Sequence, residues 1–305
     1  MPLPPNLRCG PAGWSYPSWY GTVYPKMRSR GFHPLEFLAS YFDTVEINST
    51  FYQPARPEIS RLWMRMVSAN PRFLFTAKLQ RQFTHERSLA GPDIASFKDG
   101  LWPLLRAGKL GCVLMQFPWT FRYTEENREY FIQLRRAFHE FPLVAEMRHS
   151  SWMQEEALGT LIDYRVGFCN IDQPQFTKAM PATAFLTTST GYVRLHGRDA
   201  AGRERDYPRS GATPAHEYLY TAAELEDWKP RIDQLAGLAA NTFVIANNDG
   251  GGKAAVNALQ ISAMMGDTRL RAPTNLLQRY ALELDGFRAD CPLQRPLFEA
   301  YSMVA

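Results

Sequence analysis

Cysteine is scarce in this chain. Cys9, Cys112, Cys169 and Cys291 stand far apart and form no CxxC pair, which speaks against a zinc knuckle or a disulfide frame. They are expected to be reduced, mostly buried thiols of a cytoplasmic protein. Long apolar runs are missing as well. No stretch approaches the ~18–20 residues needed to cross a bilayer, so no membrane contact is expected. The opening Met1-Pro-Leu-Pro-Pro-Asn6 lacks the basic start and apolar core of a signal peptide. Charge of one sign is also lacking. Thirty-four Lys and Arg face 30 Asp and Glu, a net +4, well short of the asymmetry of a dedicated nucleic-acid binder. Hydrophobic residues at 45% and charged residues at 21% exclude a disordered chain. No low-complexity linker divides the 305 residues, so a single domain over residues 1–305 is expected.

Eight short β-rich blocks alternate with amphipathic stretches: Arg8–Trp14, Thr44–Thr50, Arg72–Leu79, Gly111–Phe117, Leu143–Arg148, Val166–Asp172, Gly191–His196 and Thr242–Asn248. Each is bounded by Gly, Pro or Asn, as buried parallel strands are. Most gaps carry helix signals. Pro34 and Pro57 suit a first helical turn. Thr124–Glu140 spaces Phe131, Leu134 and Phe138 on one face. Ser151–Gln154 and Thr221–Glu224 both read as capping boxes. Pro230 predicts a kink or break in the stripe that follows Thr221. Gly266 suits the end of a helix over Gly252–Met265. Residues Gln173–Thr190 carry no helix signal, and Gly197–Tyr218 reads as a long loop.

Eight strand–helix units favour a single α/β (β/α)8 TIM-type barrel with an irregular crossover between strands 6 and 7. The first βα turn has no GxGxxG, which ranks the open dinucleotide-binding sheet below the barrel. The barrel core is placed at about 8–265, with residues 266–305 packed on it as a C-terminal extension.

The chemistry of such barrels sits at the carboxyl ends of the strands. Glu46, Lys78, Glu146, Arg148, Asp172, Arg194 and His196 fall there from different strands, with Asn48 and Asn248 beside them. Any one of these charges taken alone is slightly better explained by solvation at the rim. Seven together, if they face inward, must be paired or bind something. A structural ion network is therefore the alternative to an active site. Trp14, with Tyr16, Trp19 and Tyr20, follows the first strand and reads as packing or as a stacking lid. Gly250-Gly251-Gly252 before a helix offers backbone amides to an anion, or simply a tight turn. It is not a Walker motif, because no Ser or Thr follows Lys253. His85 and His149 lack HExxH spacing, and no metal site is assigned.

These residues lie in segments that resemble the YecE-like family, domain of unknown function 72. The segments are Gly13-Trp-Ser-Tyr16, Val45-Glu-Ile-Asn-Ser-Thr-Phe-Tyr52, Phe75-Thr-Ala-Lys78, Gln116-Phe-Pro118, Glu146-Met-Arg-His-Ser-Ser-Trp152, Tyr192-Val-Arg-Leu-His-Gly197 and Asn247-Asn-Asp249. The resemblance implies a (β/α)8 fold and supplies no reaction. Pro11-Ala12 and Ile171-Asp-Gln-Pro174 depart from the family's usual residues.

On the residues themselves, an enzyme is the leading expectation. Glu46, Glu146 and His196 are the candidate acid–base residues. Trp14, Asn48, Lys78, Arg148, Asp172, Arg194 and Asn248 are the candidate substrate-binding residues for a small anionic or sugar-like substrate. Neither a cofactor nor an oligomeric partner is assigned. A nucleic-acid-binding or phosphodiester-processing protein, suggested by the Arg-rich Arg198–Arg209 loop, and a non-catalytic ligand-binding barrel are the alternatives.

Overall fold

A computed structural model of the chain describes residues 2–27, 30–198 and 217–289. Among the described residues eight strands build the main sheet, in chain order β1 Leu7–Pro11, β2 Thr44–Ile47, β3 Leu74–Lys78, β4 Leu110–Gln116, β5 Leu143–Glu146, β6 Gly167–Asp172, β7 Thr190–Leu195 and β8 Asn241–Ala246, while Arg271–Ala272 and Arg288–Ala289 form a separate two-stranded pair. The main sheet is all-parallel and ordered β1-β8-β7-β6-β5-β4-β3-β2. The two end strands then meet. Ala12 bridges to Glu46 in parallel, and Gly13 N donates to Glu46 O at 2.8 Å. The expected TIM-type barrel is therefore the fold, and all eight β-rich blocks supply its strands.

The outer layer follows the sequence signals closely. It comprises α1 Pro34–Ala39, α2 Pro57–Met66, α3 Arg81–Thr84, α4 Gly91–Arg106, α5 Glu125–Ala137, α6 Glu155–Asp163, α7 Ala222–Glu226, α8 Lys229–Leu238, α9 Lys253–Met264 and α10 Thr274–Arg279. Thr124 caps α5 by accepting from Asn127 N, and Phe131, Leu134 and Phe138 are buried as their spacing requires. Thr221 forms the expected reciprocal capping box with Glu224. Pro230 sits in the first turn of α8, so the stripe is broken into two helices there. The second capping box does not form. Residues Ser150–Met153 make a 3-10 turn capped by His149, and α6 starts only at Glu155. The Ser151 hydroxyl is drawn away to accept from Tyr123 N at 2.8 Å.

Residues 173–189 contain no helix, matching the irregular crossover. Side chains hold this segment instead. Gln173 donates to Arg148 O and Met180 O, and Asn170 accepts from Phe185 N at 2.7 Å. Most of the Gly197–Tyr218 loop, and residues 290–305, lie outside the described residues. Beyond α9, Asn275 donates to Tyr24 O and Leu276 and Leu284 are buried.

Close strand approach at the closing seam depends on Gly10. A Cβ there would lie 1.9 Å from Thr44 O, a backbone atom that cannot swing aside. Gly10→Ala is therefore expected to destabilise the fold by roughly 1–3 kcal/mol, the usual cost of forcing atoms into a packed core. Urea unfolding checks this, and an unchanged midpoint would show that the seam tolerates a methyl group.

Candidate functional site

Period-two geometry places Tyr192, Arg194 and, just past the strand, His196 on one face of β7. Glu46 arrives from β2, Glu146 from β5, and Arg148 from two residues beyond it. These side chains converge. Arg194, 0% exposed, is the hub. Its Nε and one terminal nitrogen fork onto the two oxygens of Glu46 at 3.1 and 2.8 Å. Its other terminal nitrogen reaches Glu146 Oε2 at 3.0 Å and Gln116 Oε1 at 3.1 Å. The first terminal nitrogen also donates to Asn247 Oδ1 at 2.7 Å. Tyr192 donates to Glu46 Oε2 at 2.8 Å, and Thr76 lies 3.0 Å from the Tyr192 hydroxyl.

Arg148, 5% exposed, continues the chain outward. It grips Glu146 Oε1 at 2.6 Å and donates to Gln173 Oε1 at 3.3 Å. Burial pushes the Glu146 carboxyl up, but the guanidinium groups of Arg148 and Arg194 outweigh it and hold Glu146 well below the usual carboxylate range. Glu146 is thus an ionised acceptor at neutral pH and has no proton to give.

The state of His196 follows from its neighbours. Arg194 can only donate, so it must face the Asn247 oxygen, and the Asn247 amide nitrogen then donates to His196 Nδ1 at 3.1 Å. Nδ1 thereby accepts, while Nε2 lies between Glu146 Oε1 at 3.2 Å and a terminal nitrogen of Arg148 at 3.1 Å. Burial, reinforced by Arg148 and Arg194, keeps the imidazole well below its usual pKa. His196 is neutral, with both nitrogens engaged. The three candidate acid–base residues therefore form a saturated, hydrogen-bonded pedestal.

Lys78 is different. The Thr50 hydroxyl donates to its carbonyl at 2.7 Å and fixes the end of β3. Its ammonium lies 5.0 Å from the centroid of the Phe51 ring and has no hydrogen bond or ion pair among the described residues. Glu46 and Glu146 already serve two arginines, so three cations face two carboxylates. The Lys78 side chain is half-buried; burial first, then Arg194, opposed by Glu46 and Glu146 and joined by Arg148, brings it down to about 7. His85 packs on the same Phe51 ring, with centroids 5.4 Å apart. Burial and the cations Arg81 and Lys78 bring it down to about 4. Asn48 Oδ1, at the end of β2, and Gln82 Nε2, after β3, are buried without a partner among the described residues.

Asp172 does not join this cluster. It occupies the opposite face of β6 from Cys169, where it accepts from Trp228 Nε1 at 2.7 Å, Tyr220 OH at 2.9 Å and Arg198 at 2.7 Å. Its role there is to tie β6 to the α8 layer. Arg198, the start of the Arg-rich loop, is thereby turned inward. Asn248 also stands aside. It donates to Tyr218 O and Asn257 Oδ1 and braces the β8 loop against α9. Its neighbour Asn247 takes the place at the hub. Trp14 packs edge-on against Trp63, with centroids 5.4 Å apart. The glycine turn is approached by the carboxylate of Glu217, 2.5 Å from where a Gly250 Cβ would lie, so a side chain already faces that turn. Among the described residues no three His, Cys, Asp or Glu side chains are grouped to hold a metal.

Tyr192, Asn247, Gln116 and Gln173 join this network, although the sequence had not singled them out as candidate site residues. Counting by twos from Arg194 would have found Tyr192. Choosing between the adjacent Asn247 and Asn248 required the path of the β8 loop.

The fold and the convergent polar mouth define a (β/α)8 barrel with an ion network at the carboxyl end of its strands. Residues 8–279 match the family model described as protein of unknown function DUF72, and the chain belongs to that family. It is 28% identical over 270 residues to the UPF0759 protein YunF of Bacillus subtilis, covering 84% of this chain and 93% of that one. A solved DUF72 family protein of Thermotoga maritima aligns with a TM-score of 0.72 and 31% identity over 85% of this chain and 98% of that chain. One from Enterococcus faecalis aligns at 0.73 and 26% over 85% and 95%.

Removing the hub leaves two buried carboxylates without their guanidinium. Arg194→Met is expected to cost about 3–5 kcal/mol, the penalty for breaking a buried pair from one side. Chemical denaturation reads this directly, and a loss below about 1 kcal/mol would mean that the network is already solvated.

Proposed function

We propose that the protein is an enzyme acting on a small anionic substrate at the carboxyl-end mouth of the barrel, with Lys78 as the residue that exchanges the proton. The observation that carries this reading is the Lys78 ammonium, which lacks a counter-ion beside a network whose carboxylates are already spent. A carboxylate or phosphate on the substrate supplies the missing negative charge. Arg148, the less buried arginine, adds positive potential next to it. An amine at about 7 passes between donor and acceptor near neutral pH, as a general acid or base must. Asn48 and Gln82, with unmatched polar atoms, orient the substrate. Glu46, Glu146 and His196 act indirectly, by fixing the arginines. We place the protein in the cytoplasm because Cys9, Cys112 and Cys169 are free buried thiols; among the described residues no helix is long and apolar enough to cross a membrane.

The test is a thermal-shift screen of carboxylate- and phosphate-bearing metabolites at pH 6 and pH 8.5, with product analysis by mass spectrometry. Hits should stabilise the protein more at pH 6, where Lys78 is an ammonium. Equal stabilisation at both values, or hits only among neutral compounds, would contradict the reading.

Stability carries a second signature. The folded pKa of Lys78 lies below its ordinary 10.5, so the folded chain binds the proton less well than the unfolded chain. The resulting penalty is complete below pH 7 and fades as pH rises from 7 to 10.5. Lys78→Met should therefore raise the melting temperature, most below pH 7, while abolishing turnover. A lower melting temperature for this variant at pH 6 would mean that the ammonium is satisfied within the fold.

A further inference from the structure

His149 follows Arg148 but faces the other way, and the function proposed above does not use it. It is 4% exposed. Its Nδ1 accepts from the backbone N–H of Ser151 at 3.1 Å. A backbone N–H cannot be turned around, so Nδ1 has no proton and Nε2 carries it. That Nε2–H is buried and has no partner among the described residues. The indole of Trp119, on the loop after β4, lies with its centroid 5.1 Å from the imidazole, and its Nε1–H is likewise buried and unpartnered. Two N–H donors cannot satisfy each other. Two such groups on touching rings point to a shared acceptor, because a buried donor left unmet costs about 1–3 kcal/mol.

The surroundings specify the kind of acceptor. The charged groups that act on the His149 ring are Arg122 and Lys178, both cations. The Arg122 guanidinium also lies 5.2 Å from the Trp119 ring centroid. Phe176, 40% exposed, packs against the same indole with centroids 5.8 Å apart. Donors, flanking cations and apolar rings are the lining that an oxyanion on an organic ligand requires.

We propose that Trp119 Nε1 and His149 Nε2 form a second binding point at the mouth, which takes one oxyanion oxygen of a ligand, carboxylate or phosphate, between the β4 and β5 loops. This site is separate from the Lys78 reading and stands without it.

The test uses the full chain with 15N-labelled tryptophan and inorganic phosphate as the probe, with sodium acetate as a parallel arm to tell carboxylate from phosphate. The Trp119 indole signal is identified as the one missing in Trp119→Phe. It should shift saturably with one or both anions. His149→Ser retains an oxygen to cap Ser151 but removes the ring N–H, and should weaken that titration about tenfold or more. Lys78→Met should leave it unchanged, so the two sites fail or succeed independently. Trp119→Phe also removes ring contacts with His149, Phe176 and Arg122, so it serves only to assign the indole signal. An indole signal that ignores both anions, or an unchanged titration in His149→Ser, would overturn the proposal.

Discussion

The clamp of Arg194 between Glu46 and Glu146 governs the rest of the mouth. A guanidinium with 0% exposure persists only if its charge is met and its N–H groups are placed. Two carboxylates, Gln116 and Asn247 meet those demands. The same contacts draw β2, β4, β5, β7 and β8 to one point. They also spend the carboxylates, and that is why Lys78 stands apart. In the function proposed above, a network that looks like acid–base machinery serves as the pedestal on which Lys78 is poised.

The proposed division between pedestal and reactive group follows from hydrogen-bond bookkeeping more than from charge alone. Arg194 orients Asn247, Asn247 donates to His196 Nδ1, and His196 Nε2 is held between Glu146 and Arg148. The same reasoning applied to His149, where a backbone N–H decides the tautomer, leaves a proton outward and unmatched. Two histidines two strands apart are therefore assigned opposite roles by their neighbours, one saturated and one available.

Much of the fold is legible in the sequence because its signals are local. Strand blocks bounded by Gly, Pro and Asn, the Thr221–Glu224 box and the Pro230 break all act within a few residues. Ser151 misleads for a reason that is not local: its hydroxyl is claimed by Tyr123, 28 positions earlier. The convergence of Glu46, Glu146, Arg148, Arg194 and His196 is visible from strand ends and parity. Asp172 fails the parity test, since β6 turns its Cys169 face inward and Asp172 outward to Trp228. Asn48 leaves the strand for a helical backbone conformation before its side chain can continue the alternation. Which acids were spent and which cation was left over could not be read without distances, because each of these residues has several partners of opposite charge in reach.

The proposed chemistry depends on Lys78 being surplus charge inside a satisfied network. An NMR titration of its 13Cε and 15Nζ resonances, assigned by Lys78→Met, measures this directly. The expected midpoint lies near 7 and rises when an anionic ligand is bound. A midpoint near the ordinary 10.5, unmoved by any anion, would contradict it.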